Sequence, residues 1–248
     1  MNSPIDRNIF SQIGLDSGSL TILGAIIHSF PEPGEYRGVL YRGTEIVGAF
    51  YITVDKNSPV AQANVDLAKL GGVMTEPSKC CPESGDSRTH FVVNPRGYVV
   101  FHVSGGSGGY YVNVEKVEED PRKNLFNSRK LDERDIFSAV IIRPGTYSVT
   151  NLLTKARGDI VVAYPKIGKT AYRPPSPVRV ECSREAIEPK RIELQPGQGM
   201  LYHFKVPSHI KIELLRPDDG PNIRSEPVKR PSVVLQQKEQ AQNLSKTG

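Results

Sequence analysis

Apolar and polar residues alternate along several stretches of the chain, and each such stretch follows a turn that contains Pro and Gly. The clearest stretch runs from Ile141 to Tyr164, where residues 147–152 alternate in period two and 160–164 form a second apolar run. Pro144 presets φ near about −65°, which suits the start of a tight turn. The pattern predicts a β-hairpin that turns at Arg157-Gly158-Asp159.

The same layout predicts three further hairpins, at Gly34 to Val54, at Val99 to Val114 and at Met200 to Leu214. The first and third hairpins share a Pro-Gly-x-Tyr entry, at residues 33–36 and 144–147. We interpret this as two tandem domains of about 100 residues, each with two hairpins. The alternative is that any all-β protein begins some of its strands at Pro-Gly turns.

This interpretation divides the chain into an N-terminal arm (1–18), a first β-sandwich domain (19–117), a charged linker (118–135), a second β-sandwich domain (136–219) and a tail (220–248). The tail loses the hydrophobic pattern, so we expect it to be disordered or to depend on a partner for its structure. Residues 61–70 are the best helix candidate, although an extended strand through Val65 and Leu67 also fits.

Closely spaced turns between short strands are typical of β-sandwiches. The Pro-Gly-x-Tyr entry resembles that of immunoglobulin-like and prealbumin-like sandwiches, which implies an all-β chain of two tandem antiparallel β-sandwiches with at most one short helix. The resemblance concerns the fold alone, and function does not follow from it.

Composition narrows the classes of function. The net charge of +5 is mild, and Lys and Arg are interleaved with Asp and Glu, which disfavours nucleic-acid binding. The apolar run from Leu20 to Ile27 is too short for a membrane span, and no signal peptide is recognisable. Three cysteines cannot form a disulfide framework, so we expect a reducing, cytoplasmic location.

Cys80, Cys81 and His90 form the one candidate metal site, within and beside the longest irregular stretch of the chain (71–89). Thiolates and imidazole are ligands for Zn²⁺ or Cu(I). Adjacent cysteines approach a tetrahedral ion less easily than spaced ones, and no fourth ligand is visible. The alternative is that these are loop thiols without a metal.

His102 and His203 each stand seven residues after a Pro, between large apolar neighbours. Strand parity places each histidine on the opposite face from those neighbours. Equivalent histidines on two outer faces are candidates for a partner interface, and the alternative is that they are ordinary exposed residues. Cys182 shares a strand face with Val178 and Val180, so we expect it to be buried.

The sequence contains no recognisable catalytic motif, no catalytic residue and no cofactor-binding pattern. We therefore expect a non-enzymatic structural or binding subunit of a larger assembly, with a protein partner or further copies of itself. One alternative is a metal-bearing accessory subunit, or an enzyme, that uses the Cys and His residues. The other is a glycan- or polyanion-binding module that uses Tyr and Lys or Arg on one sheet.

Overall fold

The computed structural model describes residues 13–73, 89–117, 124–164 and 172–218. These residues belong to one compact unit, which is nearly all-β and has one short helix. The described part of the chain has no helix with the length and apolar character needed to cross a membrane.

In chain order the elements are β1 (Gly14–Asp16), β2 (Gly24–His28), β3 (Gly34–Arg42), β4 (Glu45–Val54), β5 (Gln62–Asp66), α1 (Leu67–Val73), β6 (His90–Val93), β7 (Tyr98–His102), β8 (Tyr110–Lys116), β9 (Asn124–Asn127), β10 (Asp135–Val140), β11 (Gly145–Asn151), β12 (Arg157–Val162), β13 (Val178–Cys182), β14 (Ile187–Glu188), β15 (Arg191–Leu194), β16 (Gly199–Phe204) and β17 (Ile210–Pro217).

The strands form three sheets. The central sheet has seven strands in the order β14-β13-β16-β10-β2-β7-β5. The N-terminal outer sheet is β6-β4-β3-β8-β9, and the C-terminal outer sheet is β15-β12-β11-β17-β1. The central sheet therefore contains strands from both halves of the chain, joined where β2 pairs with β10.

The pairing pattern of the first half recurs in the second half. The antiparallel pair β3–β4 corresponds to β11–β12, and the parallel pairs β4–β6 and β5–β7 correspond to β12–β15 and β13–β16. In the middle of the central sheet Ile26 lies opposite Phe137. The pairings on the two sides of this pair match, so the register defines an approximate internal two-fold axis.

Each outer sheet is completed by a short strand from the other half of the chain. Strand β1 precedes the first half but pairs with β17, and β9 precedes the second half but pairs with β8. The hydroxyls of the fully buried Ser17 and Ser128 accept equivalent hydrogen bonds from the backbone N–H of Ile210 (3.0 Å) and of Val112 (2.9 Å). The segments predicted to be an arm and a linker thus each supply an edge strand.

One hydrophobic core lies between the central sheet and the outer sheets. The side chains of Phe101, Phe137 and Tyr202 on the central sheet are fully buried. Phe101 packs against Phe50 of the N-terminal outer sheet (6.1 Å between ring centroids) and stacks on Phe126 of β9 (5.1 Å). The exchanged strand is therefore part of the core.

The first and third predicted hairpins are confirmed, because β3 pairs with β4 and β11 pairs with β12. The second and fourth are wrong, since β7 and β16 belong to the central sheet whereas β8 and β17 belong to the outer sheets. In both places the chain crosses from one layer to the other. Period-two alternation shows that a strand has a buried face, but it does not identify the neighbouring strand.

Three local predictions have different outcomes. Residues 157–159 lie in β12 and not in a turn, and the chain turns earlier, where Lys155 has φ +67°. The helix candidate at 61–70 is a strand, β5, followed by α1, and the Asp66 carboxylate caps α1 by accepting from the N–H of Ala68 (3.2 Å). Cys182 is fully buried, as expected.

Candidate functional site

The structure locates one of the three predicted metal ligands. Cys80 and Cys81 lie outside the described residues, so the metal site stays a prediction. His90 is exposed at the start of β6, and its Nε2 lies 2.7 Å from the hydroxyl oxygen of Thr53. Within the described ranges, no three His, Cys, Asp or Glu side chains are arranged to hold a metal ion.

His102 and His203 lie on the same face of the central sheet, on strands β7 and β16. Their neighbours Phe101 and Tyr202 are fully buried, so the predicted strand parity is confirmed. Strands β10 and β2 separate them, which places the two histidines roughly 16 Å apart for ordinary strand spacing and rise. They do not form one site but mark the two ends of one surface.

We call this surface the open face; it is the side of the central sheet that points away from the core. Between the two histidines its half-buried side chains are mostly apolar. These are Ala25, Ile27, Val100, Ile136, Ser138 and Leu201. Among the described strands no further sheet lies over them, so this part of the open face is mainly apolar.

The register arranges these side chains in two rows across the strands. In the first row Ile27 of β2 lies opposite Ile136 of β10, and in the second row Ala25 lies opposite Ser138. The first row is therefore bulky at the centre of the face and the second is small. The internal two-fold axis passes between the rows and relates each row to the other.

Each histidine has an acidic neighbour on the adjacent strand. Glu181 of β13 lies beside His203, and Asp66 of β5 lies beside His102. A hydrogen bond from Lys205 (2.6 Å) is the main cause that lowers the pKa of Glu181. The apolar centre of the face thus ends in an acid–histidine pair on each side.

The environments of Asp66 and His203 shift their pKa values. Burial raises the pKa of Asp66, but the hydrogen bonds from Ser104 and the charge of His102 outweigh burial and leave it below 3.8. For His203, burial and the nearby Arg179 lower the pKa, and Glu181 opposes them in part. The pKa values of Asp66 and His203, at the two edges of the open face, therefore depend on the groups that surround each side chain.

A buried polar pair lies on the opposite side of β2 and β10, toward the core. The Nδ1 of His28 lies 2.5 Å from an Asp135 carboxylate oxygen, and both residues are almost fully buried. The other Asp135 oxygen accepts from the N–H of Asp132 (2.7 Å). The internal two-fold axis relates this pair to Gly24 and Ala139, which carry no polar side chain. The link between the two halves therefore occurs at one end of the β2–β10 pairing only.

Sequence reasoning missed both His28–Asp135 and the apolar centre of the open face. The period-two pattern at residues 24–28 and 135–140 could have shown which side chains share a face. It could not have shown that these two strands pair, because they stand 107 positions apart in the chain.

Tyrosine and basic side chains meet on the exposed side of the N-terminal outer sheet, as a glycan- or polyanion-binding module would require. The rings of Tyr41 and Tyr111 stack at 4.6 Å and 5°. The guanidinium of Arg129 lies 3.5 Å from the Tyr111 ring centroid. The Tyr111 ring therefore already contacts both the Tyr41 ring and the Arg129 guanidinium. This arrangement does not favour an open platform on which a ligand ring could stack.

Comparison of the chain with protein-family models, with curated proteins and with solved structures finds no match.

Proposed function

We propose that the chain is a non-enzymatic structural or binding subunit of a larger protein assembly, and that it joins the assembly through the open face. The supporting observation is the mainly apolar, half-exposed centre of a seven-stranded sheet that ends in an acid–histidine pair on each side. Apolar patches with polar rims are typical of protein-binding surfaces. His102 and His203 would then lie at the rim of the interface.

The proposal includes the tandem origin of the two halves. Two sandwiches related by duplication, of immunoglobulin-like or prealbumin-like type, account for the recurring pairing pattern and for the repeated Pro-Gly-x-Tyr entry. In each copy the Tyr hydroxyl donates to the backbone carbonyl four residues earlier, Tyr36 to Glu32 (2.6 Å) and Tyr147 to Arg143 (2.7 Å). A duplicated chain with exchanged edge strands forms a rigid platform for the open face.

Affinity capture of the full-length chain from its native source tests the proposal, with light scattering for mass and identification of every protein that co-purifies. The Ile27→Glu variant places a charge at the centre of the open face, where a buried unpaired carboxylate opposes association. We expect the wild type to be recovered in a species larger than 27.4 kDa, and Ile27→Glu to be recovered alone.

The matched control is Thr150→Glu on the outward side of the C-terminal outer sheet. Thr150 is half-exposed like Ile27 and lies between Arg157 and Lys211 on the neighbouring strands, so the added carboxylate has cationic neighbours. This control should keep its partners. Equal recovery of partners by Ile27→Glu and the wild type, or a wild-type monomer with no partner, would refute the proposal.

A further inference from the structure

We propose that the open face binds the open face of a second copy of the same chain, about a two-fold axis that runs across the strands. In this arrangement β2 stacks on β2 of the second copy and β10 stacks on β10, with strand directions reversed. The inference rests on the proposed function and specifies its partner.

Side-chain size favours this axis. An axis across the strands, placed between the two rows, sets the bulky row of one copy on the small row of the other. Ile27 then lies over Ala25 of the second copy, and Ile136 lies over Ser138. An axis along the strands would instead set two bulky side chains, Ile27 and Ile136, against each other. It would also set two small side chains, Ala25 and Ser138, against each other and leave a gap between them. Interface cores are packed as densely as protein interiors, so the first arrangement is the complementary one.

Charge is complementary about the same axis, although an axis along the strands would also set opposite charges together, Arg179 against Asp66 of the second copy. Arg179 and Glu181 of β13 both project from the open-face side of the sheet, with their side chains 68% and 38% exposed. Rotation about the axis across the strands sets Arg179 of each copy opposite Glu181 of the other. The two residues are also 3.5 Å apart within one chain, so contact between copies would build a four-charge network of alternating sign at this edge. Complementary charge at a rim fixes the register of an interface.

The area of the face is close to the lower limit for a specific dimer. Seven strands span about 29 Å, and their lengths of two to six residues average about five residues, or about 16 Å, for ordinary sheet dimensions. The projected face is about 460 Å² for each copy, or about 900 Å² in total, against the roughly 1,000 Å² expected of a specific interface. The neutral-to-apolar centre and the charged edge match the usual anatomy of such an interface.

A size-reversal experiment on the purified full-length chain tests the arrangement. Ala25→Ile places a bulky side chain against Ile27 of the second copy and should weaken dimerisation about tenfold or more, because overpacking of a fitted contact is unfavourable. Ile27→Ala leaves a gap at both symmetry-related contacts and should weaken it similarly. The double variant, with Ala25→Ile and Ile27→Ala together, exchanges the sizes of the two positions and should restore the dissociation constant to within about threefold of the wild type, since the contact sizes are again complementary.

Sedimentation equilibrium over a concentration series gives the dissociation constants. Ala25→Ile raises β-propensity on a half-exposed face, so it should not prevent folding, and melting temperature with far-ultraviolet circular dichroism verifies this for every variant. Thr150→Ile on the C-terminal outer sheet is the control for an added exposed isoleucine and should leave the dissociation constant unchanged.

Two results would overturn the inference. One is a wild-type chain that stays at 27.4 kDa at every concentration, and the other is a double variant that is no better than the single variants. If the purified chain is monomeric while capture from the native source still depends on Ile27, the partner is a different protein: the inference fails and the proposed function stands. If the purified chain is monomeric and the chain captured from the native source has no partner either, both the inference and the proposed function fail.

Discussion

Phe126 connects the two halves of the chain, and its removal should destabilise both of them together. It lies on β9, the strand that the second half contributes to the N-terminal outer sheet, and it is 3% exposed. Its ring stacks on Phe101 of the central sheet (5.1 Å between centroids) and packs against the ring of His28 (4.5 Å). Phe126→Ala therefore removes a core contact that belongs to both halves.

The expected cost follows from this burial. A fully buried Phe→Ala substitution costs about 3–5 kcal/mol through lost transfer free energy and the cavity that remains. This is a large fraction of the roughly 5–15 kcal/mol by which a typical protein is stable. With a urea m-value of about 2–3 kcal/mol/M, the unfolding midpoint should fall by about 1–2.5 M. The counterpart on the other exchanged strand, Leu15→Ala, should cost about 2–5 kcal/mol.

Cys182 reports on the second half of the chain. It is fully buried on β13, and burial raises the pKa of its thiol to about 12, so a thiol reagent should label it only after that half opens. In a background with Ser at positions 80 and 81, we would follow urea unfolding by Cys182 labelling and by far-ultraviolet circular dichroism. Phe126→Ala should lower both midpoints by the same amount.

A labelling midpoint for Cys182 that stays at the wild-type value, while the circular dichroism midpoint falls, would refute this reasoning. It would mean that the second half keeps its fold without the first, so that the shared sheet and the exchanged strands do not couple the halves.

The remaining predictions concern local contacts, and each is measured as a urea midpoint. Tyr36→Phe and Tyr147→Phe each remove one equivalent hydroxyl–carbonyl hydrogen bond and should each cost about 1 kcal/mol. Burial raises the pKa of Asp16, but the hydrogen bond with His209 (2.6 Å), the charge of His209 and smaller contributions from Gly18 and Lys211 together outweigh burial and leave it below 3.8. His209→Asn should therefore destabilise the protein at pH 7, and the deficit should shrink as the pH falls below 3.8, where Asp16 becomes protonated. Gly38→Ala should be destabilising by about 1–3 kcal/mol, because its Cβ would overlap the ring of Phe50.

Each of these three predictions has a control or a contradicting result. Gly72→Ala has no atom within 4 Å of the added Cβ and should be neutral or stabilising, so an equal loss at both glycines would contradict the steric argument. Unequal losses by more than about 1 kcal/mol at the two tyrosines would contradict their equivalence. A His209→Asn deficit that grows as the pH falls below 3.8 would show that the sign assigned to Asp16 is wrong.

Local sequence signals predicted the strands better than their partners. The alternating stretch that follows Pro144-Gly145 correctly indicated the β11–β12 hairpin, since the short connection at 152–156 brings these two strands together. The strand predicted from Val99 to Val103 was found as β7, yet it pairs with β2 and β5 rather than with the strand that follows it. That choice depends on contacts between strands distant in sequence, which periodicity does not encode.

The exchanged strands β1 and β9 could not be predicted from the pattern of the chain. They have three and four residues, which is too short for alternation to stand out, and each lies in a segment that resembles an arm or a linker. Their position depends on Ser17 and Ser128, whose hydroxyls accept backbone hydrogen bonds at the ends of the pairings. The open face was predicted in part, through the parity of His102 and His203, whereas its apolar centre depends on the pairing of β2 with β10.

The most direct test of the role of the open face is the mass of the full-length chain in solution, measured by sedimentation equilibrium for the wild type and Ile27→Glu side by side. We expect a wild-type mass of about twice 27.4 kDa and a variant mass of 27.4 kDa, since one buried unpaired carboxylate costs several kcal/mol. The same mass for both proteins would contradict the claim that the chain assembles with itself through this face.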